Sequence, residues 1–320
     1  MYYPYLYGRQ SELLALRDVA SLVVPDGRVV PVIEPVKENA ATLAITIKGN
    51  LEPARQHTYL VENPALGDFA KDGRARKRWY EQVEPLFASD FVYPTFLCSK
   101  GTTLDELRDF VGRHRDRTIG IVLRSPSITD SDIAREVHSA DATRTFFLAG
   151  AAQQSTLRTL GRGRCVRIED RFPMQPRNAD YGGIEAFTDA HLTYARDGYA
   201  GFGDYTVLGG TYNEGGGPLG AAAIHLTFAR KASREIFVEH FVSDTVDQNV
   251  RDNDLKYGEA VAKIPPATRR RSDTFGLTAG VGRYLGAAAG GKLPTPGMNK
   301  RWSIAHHVDL MSGFLAGRFA

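Results

Sequence analysis

Short runs that are apolar at nearly every position alternate along the chain with longer segments whose apolar residues recur at helical spacing. The runs are YYPYLY (2–7), VVPVIEPVK (29–37), TYLVENP (58–64), FVYPTFLCS (91–99), TIGIVLRSP (118–126), TRTFFLAG (143–150), CVRIEDRF (165–172) and YAGFGDYTVLG (199–209). Between them lie SELLALRDVASL, NAATLAITIKGNL, GRARKRWYEQVEPLF, TLDELRDFVGRHR, TDSDIAREVHS, QQSTLRTLG and a longer mixed segment containing IEAFTDAHLTYARDG. Thr103 and Glu106 have the spacing of a capping box. Continuous apolar runs suit strands buried on both faces, and strands alternating with helices predict a parallel sheet. Eight such units over about 210 residues match a (β/α)8 barrel. An open doubly wound sheet fits less well, because the first turn, GRQSE, lacks a glycine-rich fingerprint.

The pattern changes after about residue 210. AAAIHLTFAR and REIFVEHFVSD read as two partly alternating strands joined by a polar turn, a half-exposed antiparallel hairpin. VRDNDLKYGEAVAKI reads as a helix that stops at Pro265-Pro266. The glycine- and proline-rich stretch that follows reads mostly as loop. KRWSIAHHVDLMSGFLAGRF predicts an amphipathic terminal helix with Ile304, Val308, Met311 and Leu315 on one face. The expected organisation is therefore a barrel over 1–209 and a C-terminal elaboration of hairpin, loops and helix over 210–320.

In this architecture the reactive groups close the strands at their C-terminal ends. Side chains alternate along a strand, so parity sorts the candidates. Glu34 goes inward with Val30 and Val32, Glu62 with Leu60, Arg124 with Val122 and Gly120, and Asp204 with Phe202. Asp170 goes inward with Val166 and Ile168. The alternative, Glu169 inward, would bring Arg167 into the barrel. The result is a mouth with Glu34, Glu62, Asp170 and Asp204 around Arg124, with Lys37 nearby. These carboxylates can hold a divalent metal such as Mg or Mn, or act as acid and base. Arg124 and Lys37 suit an anionic ligand. A structural ion-pair network explains the same residues.

Composition narrows this little. A net charge of +3 over 320 residues does not itself point to nucleic acid. No apolar run reaches the roughly 18 residues of a membrane span. The N-terminal residues do not read as a signal peptide, and two cysteines are too few for a disulfide framework, so the expected location is cytoplasmic. Cys98 closes a strand without a recognisable histidine partner, which favours an inert thiol. Adjacent His306 and His307 point about 100° apart on a helix and cannot easily share an ion. His225 and His240 can pair across the hairpin. The basic stretches RARKRW (74–79) and 268–271 suit solvated faces or phosphate contact, and nucleic-acid binding is not favoured. The segment GDYTVLGGTYNEGGGPLG (203–220) is a glycine-rich junction without a GK[ST] ending, so it is not a P-loop. It places Glu214 as a further ligand-binding candidate beside Asp204.

The opening MYYPYLYGRQSELLALRD, the second-strand PVIEPV, the block from GFGDYTVLGGTYNEGGGPLG onward, FVEHFVSD and KRWSIAHHVDLMSGFL together resemble a bacterial group known as the beta protein family. The resemblance spans nearly the whole chain. It implies a barrel-like fold and a bacterial or mobile-element setting. It further implies a neighbouring gene for a small nuclease-like partner protein, and by association a role in phage defence. It carries over no catalytic residue. Three functions fit the sequence: a hydrolase or lyase acting on a phosphorylated or nucleotide-like ligand at the mouth, a non-catalytic sensor or scaffold that binds a partner protein, or a nucleic-acid-binding component.

Overall fold

The computed structural model describes residues 1–70, 72–138, 144–150, 154–214, 219–270 and 275–319. It is a (β/α)8 barrel with an added antiparallel sheet and helices. The barrel strands are β1 (Tyr5–Leu6), β2 (Val32–Ile33), β3 (Thr58–Val61), β4 (Val92–Ser99), β5 (Ile119–Arg124), β6 (Arg144–Ala149) and β7 (Cys165–Glu169). A further strand, β8 (Ile184–Thr188), belongs to the second sheet, and β9 (Gly201–Asp204) is the eighth barrel strand. Every barrel pair is parallel and follows chain order. The barrel is joined end to end where Tyr2 bridges Phe202, with Tyr3 N donating to Phe202 O at 2.9 Å.

Glycine makes that seam. A Cβ on Gly203 would lie 2.0 Å from the Tyr3 carbonyl oxygen, and one on Gly201 would lie 2.5 Å from the Tyr3 ring. The two glycines of GFGD are therefore there for close approach of the Met1–Tyr3 segment.

The barrel interior is identified at Gly120. A Cβ there would meet Tyr59, Thr95 and Phe147, which come from β3, β4 and β6. β3 and β6 are not neighbours, so their side chains meet only across the interior. The opposite face packs on α4 (Leu104–Arg113), α5 (Asp130–His138) and α6 (Gln154–Leu160) through Phe96, Cys98, Ile121, Leu123, Phe146 and Leu148. α4 starts as its sequence predicts. Thr103 accepts from Glu106 N, and the Glu106 carboxylate accepts from Thr103 N.

The chain forms two compact units, which do not divide at one point in the sequence. The first comprises Met1–Arg9, Val29–Asp170 and Ala190–Tyr205 and holds the barrel strands. The second comprises Gln10–Arg28, Arg171–Asp189 and Thr206–Ala320. In the second unit β10 (Ala223–Ala229) and β11 (Ile236–Val242) form the expected hairpin, and β8 adds to β11 antiparallel. The mixed segment around IEAFT reads as helix in the sequence. Ile184–Thr188 is instead a strand, because Ile184, Glu185, Ala186 and Thr188 pair along β11, with a register shift at Phe187.

Four other sequence expectations in this unit are corrected. The helix expected to stop at Pro265-Pro266 ends at Ala262, and both prolines lie in the first turn of a new helix, Ile264–Arg270, where they remove no needed donor. The glycine-rich stretch contains a helix, Ala279–Ala288, capped by Thr278. Its Gly280 has a packing reason: a Cβ would lie 2.4 Å from Trp302 O. The terminal helix, Pro296–Leu315, is not amphipathic, because Trp302 through Phe314 are buried all round it. The hairpin is also less exposed than its alternation suggests, with β10 buried at every position except His225.

Candidate functional site

The site grows from the interior parity of β1, β2 and β5 at their C-terminal ends. Glu34 is fully buried. Its carboxylate accepts from the Tyr5 hydroxyl at 2.6 Å and takes a two-pronged contact from Arg124, Nη2 at 2.5 Å and Nη1 at 3.2 Å. Arg124 Nη2 also donates to Tyr5 Oη at 2.9 Å. The paired geometry adds orientation as well as energy. The Arg124 side chain keeps 25% exposure, so the ion pair is buried on the glutamate side and open on the arginine side.

Tyrosines frame this pair. Tyr7 stacks on Tyr205 at 5.8 Å and meets Tyr5 edge-on at 6.0 Å. The Tyr205 ring also lies 5.1 Å from the Tyr5 ring. Burial, and then the Glu34 charge, hold the Tyr5 phenol well above its usual value. Burial likewise raises Tyr205, with Arg124 pulling it down and Glu34 and Asp170 pushing it up. Burial works against the Arg124 charge, yet Tyr5 and Glu34 keep its pKa raised, so it is a permanent cation. Asp170 follows Ile168, whose side chain meets Gly203 from the interior, and it is exposed. It is the exposed carboxylate felt by Tyr205.

The backbone is strained where these side chains are presented. Ser125, directly after Arg124, has φ 50°, and Thr206, directly after Tyr205, has φ 54°. For a β-branched residue that is an outlier, and such strain gathers at functional sites.

The expected ring of four carboxylates does not assemble. Glu62 has the outward parity, because Tyr59 points inward. It bonds His114 Nε2 at 2.8 Å and Arg113, both at the end of α4. Asp204 also points outward, with Phe202, since Gly201 and Gly203 occupy the inward positions. Asp204 accepts from the buried Tyr2 hydroxyl at 2.8 Å. An inward Leu60 or Phe202 is as plausible in the sequence as the actual inward Tyr59 or glycine, so strand alternation alone does not orient these two strands. Lys37 pairs with Asp68 at 3.2 Å and is more than half exposed. Glu214 accepts from Tyr212 at 3.1 Å and belongs to the second unit. Among the described residues, no three His, Cys, Asp or Glu side chains are placed to hold a metal ion. A shared Mg or Mn site from Glu34, Glu62, Asp170 and Asp204 is therefore not built.

Tyr5 was not a sequence candidate. The signal was available in YYPYLY, where Tyr3, Tyr5 and Tyr7 alternate onto one face. Arg167 and Glu169 pair at 3.3 Å on the outer face. Burial pushes the Cys98 thiol up to about 12, which makes it a poor nucleophile. His306 and His307 are fully buried and engaged by Thr278 and Thr227. In the first basic stretch Arg78 is tied to Glu38 and Asp72. Arg271 and the residues 215–218 of the glycine segment lie outside the described residues. No helix among the described residues is long and apolar enough to cross a membrane.

No family model matches this chain. No curated protein matches it. Among solved structures, a mutant of the O-GlcNAc hydrolase of Thermobaculum terrenum is similar at 9% identity and a TM-score of 0.40, over 64% of this chain. The chain spans 55% of that protein's length.

Proposed function

We propose that the protein is a hydrolase or lyase working by acid–base chemistry at the C-terminal mouth of its barrel, on a ligand bearing a phosphoryl or similar oxyanion group. The observation that carries this reading is the half-open Glu34–Arg124 pair. Glu34 and Tyr5 take three N–H donors of Arg124, whereas a guanidinium has five. The donors beyond these three are left for a ligand. Glu34 fixes the guanidinium in place before the ligand arrives, which is how electrostatic stabilisation avoids reorganisation. Asp170 supplies an exposed carboxylate to take or return a proton, and Tyr205 a hydroxyl beside it. No metal is needed for these roles. A nucleotide-like ligand also suits the phage-defence setting that the family resemblance implies.

The test is calorimetric titration of the whole chain with inorganic phosphate and with adenosine monophosphate. Wild type binds at least one of them. Arg124→Lys keeps the charge but loses the planar fork, and binding weakens by about tenfold or more. Absence of binding to both probes by the wild type removes the oxyanion reading.

A further inference from the structure

The second unit holds a separate polar cluster that the barrel chemistry does not use. We propose that Glu185, His240 and His225 form a proton-relay line across the three-stranded sheet, leaving His225 Nε2 as a neutral imidazole acceptor for a ligand hydroxyl or other protonated donor. The three residues come from β8, β11 and β10 in that spatial order. His225 and His240 are directly opposed in the ladder. Glu185 opposes Val238, two positions from His240 and on the same face.

The Nδ1 atoms of His225 and His240 are 2.7 Å apart. That distance requires one proton between them, so the two neutral rings carry opposite tautomers. Which ring donates is set at the other nitrogen of His240. The His240 side chain is fully buried, and among the described residues its Nε2 makes no hydrogen bond. The Glu185 carboxylate lies 3.6 Å from that nitrogen. A buried ring nitrogen facing an anion at this distance is more stable as N–H than as a lone pair. His240 therefore carries its proton on Nε2 and accepts at Nδ1. His225 must then donate from Nδ1, which leaves the lone pair on its Nε2. His225 is the one β10 residue that is only partly buried.

Aromatic rings hold the pair in place. Tyr181 lies 4.5 Å from His225 and 5.0 Å from His240, and Phe172 lies 5.0 Å edge-on from His225. Among the described residues, Tyr181 faces both rings and Glu185 faces His240. Burial pushes His225 down to about 3 and His240 to about 4, so both rings are neutral at neutral pH. The geometry suits proton handling rather than an ion, since these three side chains do not form a metal cage.

The experiment is nitrogen NMR of the full chain labelled at histidine, at pH 7. The relay predicts pyrrole-type Nδ1 and pyridine-type Nε2 for His225, and the reverse for His240. Glu185→Leu, at a partly exposed position, leaves the sheet intact and removes the anion, and the two tautomer arrangements then become mixed. A proton on His225 Nε2 in the wild type overturns the proposal. So does an unchanged tautomer pattern in Glu185→Leu, because Glu185 would then have no part in setting it.

Discussion

At the scale of single residues, the chain places its least replaceable groups where backbone meets backbone or where charge is buried. Gly203 is the clearest case. Its missing Cβ makes room for the Tyr3 carbonyl at the barrel seam, and backbone cannot move aside as a side chain does. Gly203→Ala is therefore expected to destabilise the protein by about 3 kcal/mol, at the upper end of overpacking costs. Chemical denaturation measures this, and a loss under about 0.5 kcal/mol, the scale of ordinary surface substitutions, would show that the seam is not as tight as described. In the sequence Gly203 looks like part of a glycine-rich junction. Its use is steric, and the distinction is invisible without knowing that Tyr3 passes over it. Glu34 and Arg124 show the opposite case. Their inward parity could be read from VVPVIE and GIVLR, because every alternate residue before them is small or apolar.

At the scale of elements, the barrel strands were legible and the later elements less so. Eight apolar runs mark eight parallel strands because each is covered on both faces, which erases polar alternation and leaves an unmistakable composition. The strand Ile184–Thr188 was hidden for a different reason. It is a short edge partner of β11, exposed at Ile184 and Ala186, and its flanking residues carry helix-like spacing. The helix Ala279–Ala288 was hidden by its glycines, of which Gly280 serves close contact with Trp302 and His306. Parity located Glu34 and Arg124 but misplaced Glu62 and Asp204. On β3 the larger residue, Tyr59, is the one that fills the barrel, and on β9 glycine is. Both depend on what the opposite strands contribute, which no single strand's pattern contains.

At the scale of the whole molecule, burial of neutral histidines sets a pH dependence. Burial lowers His225 to about 3, His240 to about 4 and His306 to about 4, below the unfolded value of 6.5. The unfolded chain then binds protons more readily than the folded one in this range. Their contribution to stability is full above about pH 6.5 and is lost as pH falls toward about 4. Most carboxylates titrate lower, so the interval from pH 7 to pH 5 isolates the histidines. The thermal midpoint is expected to fall across it, and a flat profile would mean that these rings are not buried as neutral groups. At the barrel mouth, in the function proposed above, Arg124, held by Glu34 and Tyr5, receives an anion and Asp170 moves the proton. The most direct measurement sets turnover against binding in Asp170→Asn. A panel of phosphomonoesters and phosphodiesters is screened with the wild type, and phosphate binding is measured on both proteins. This mechanism gives wild-type turnover of at least one ester, near-wild-type phosphate binding by Asp170→Asn, and turnover in that variant lower by about a hundredfold or more. Equal turnover in the two proteins, or none by the wild type, would contradict it.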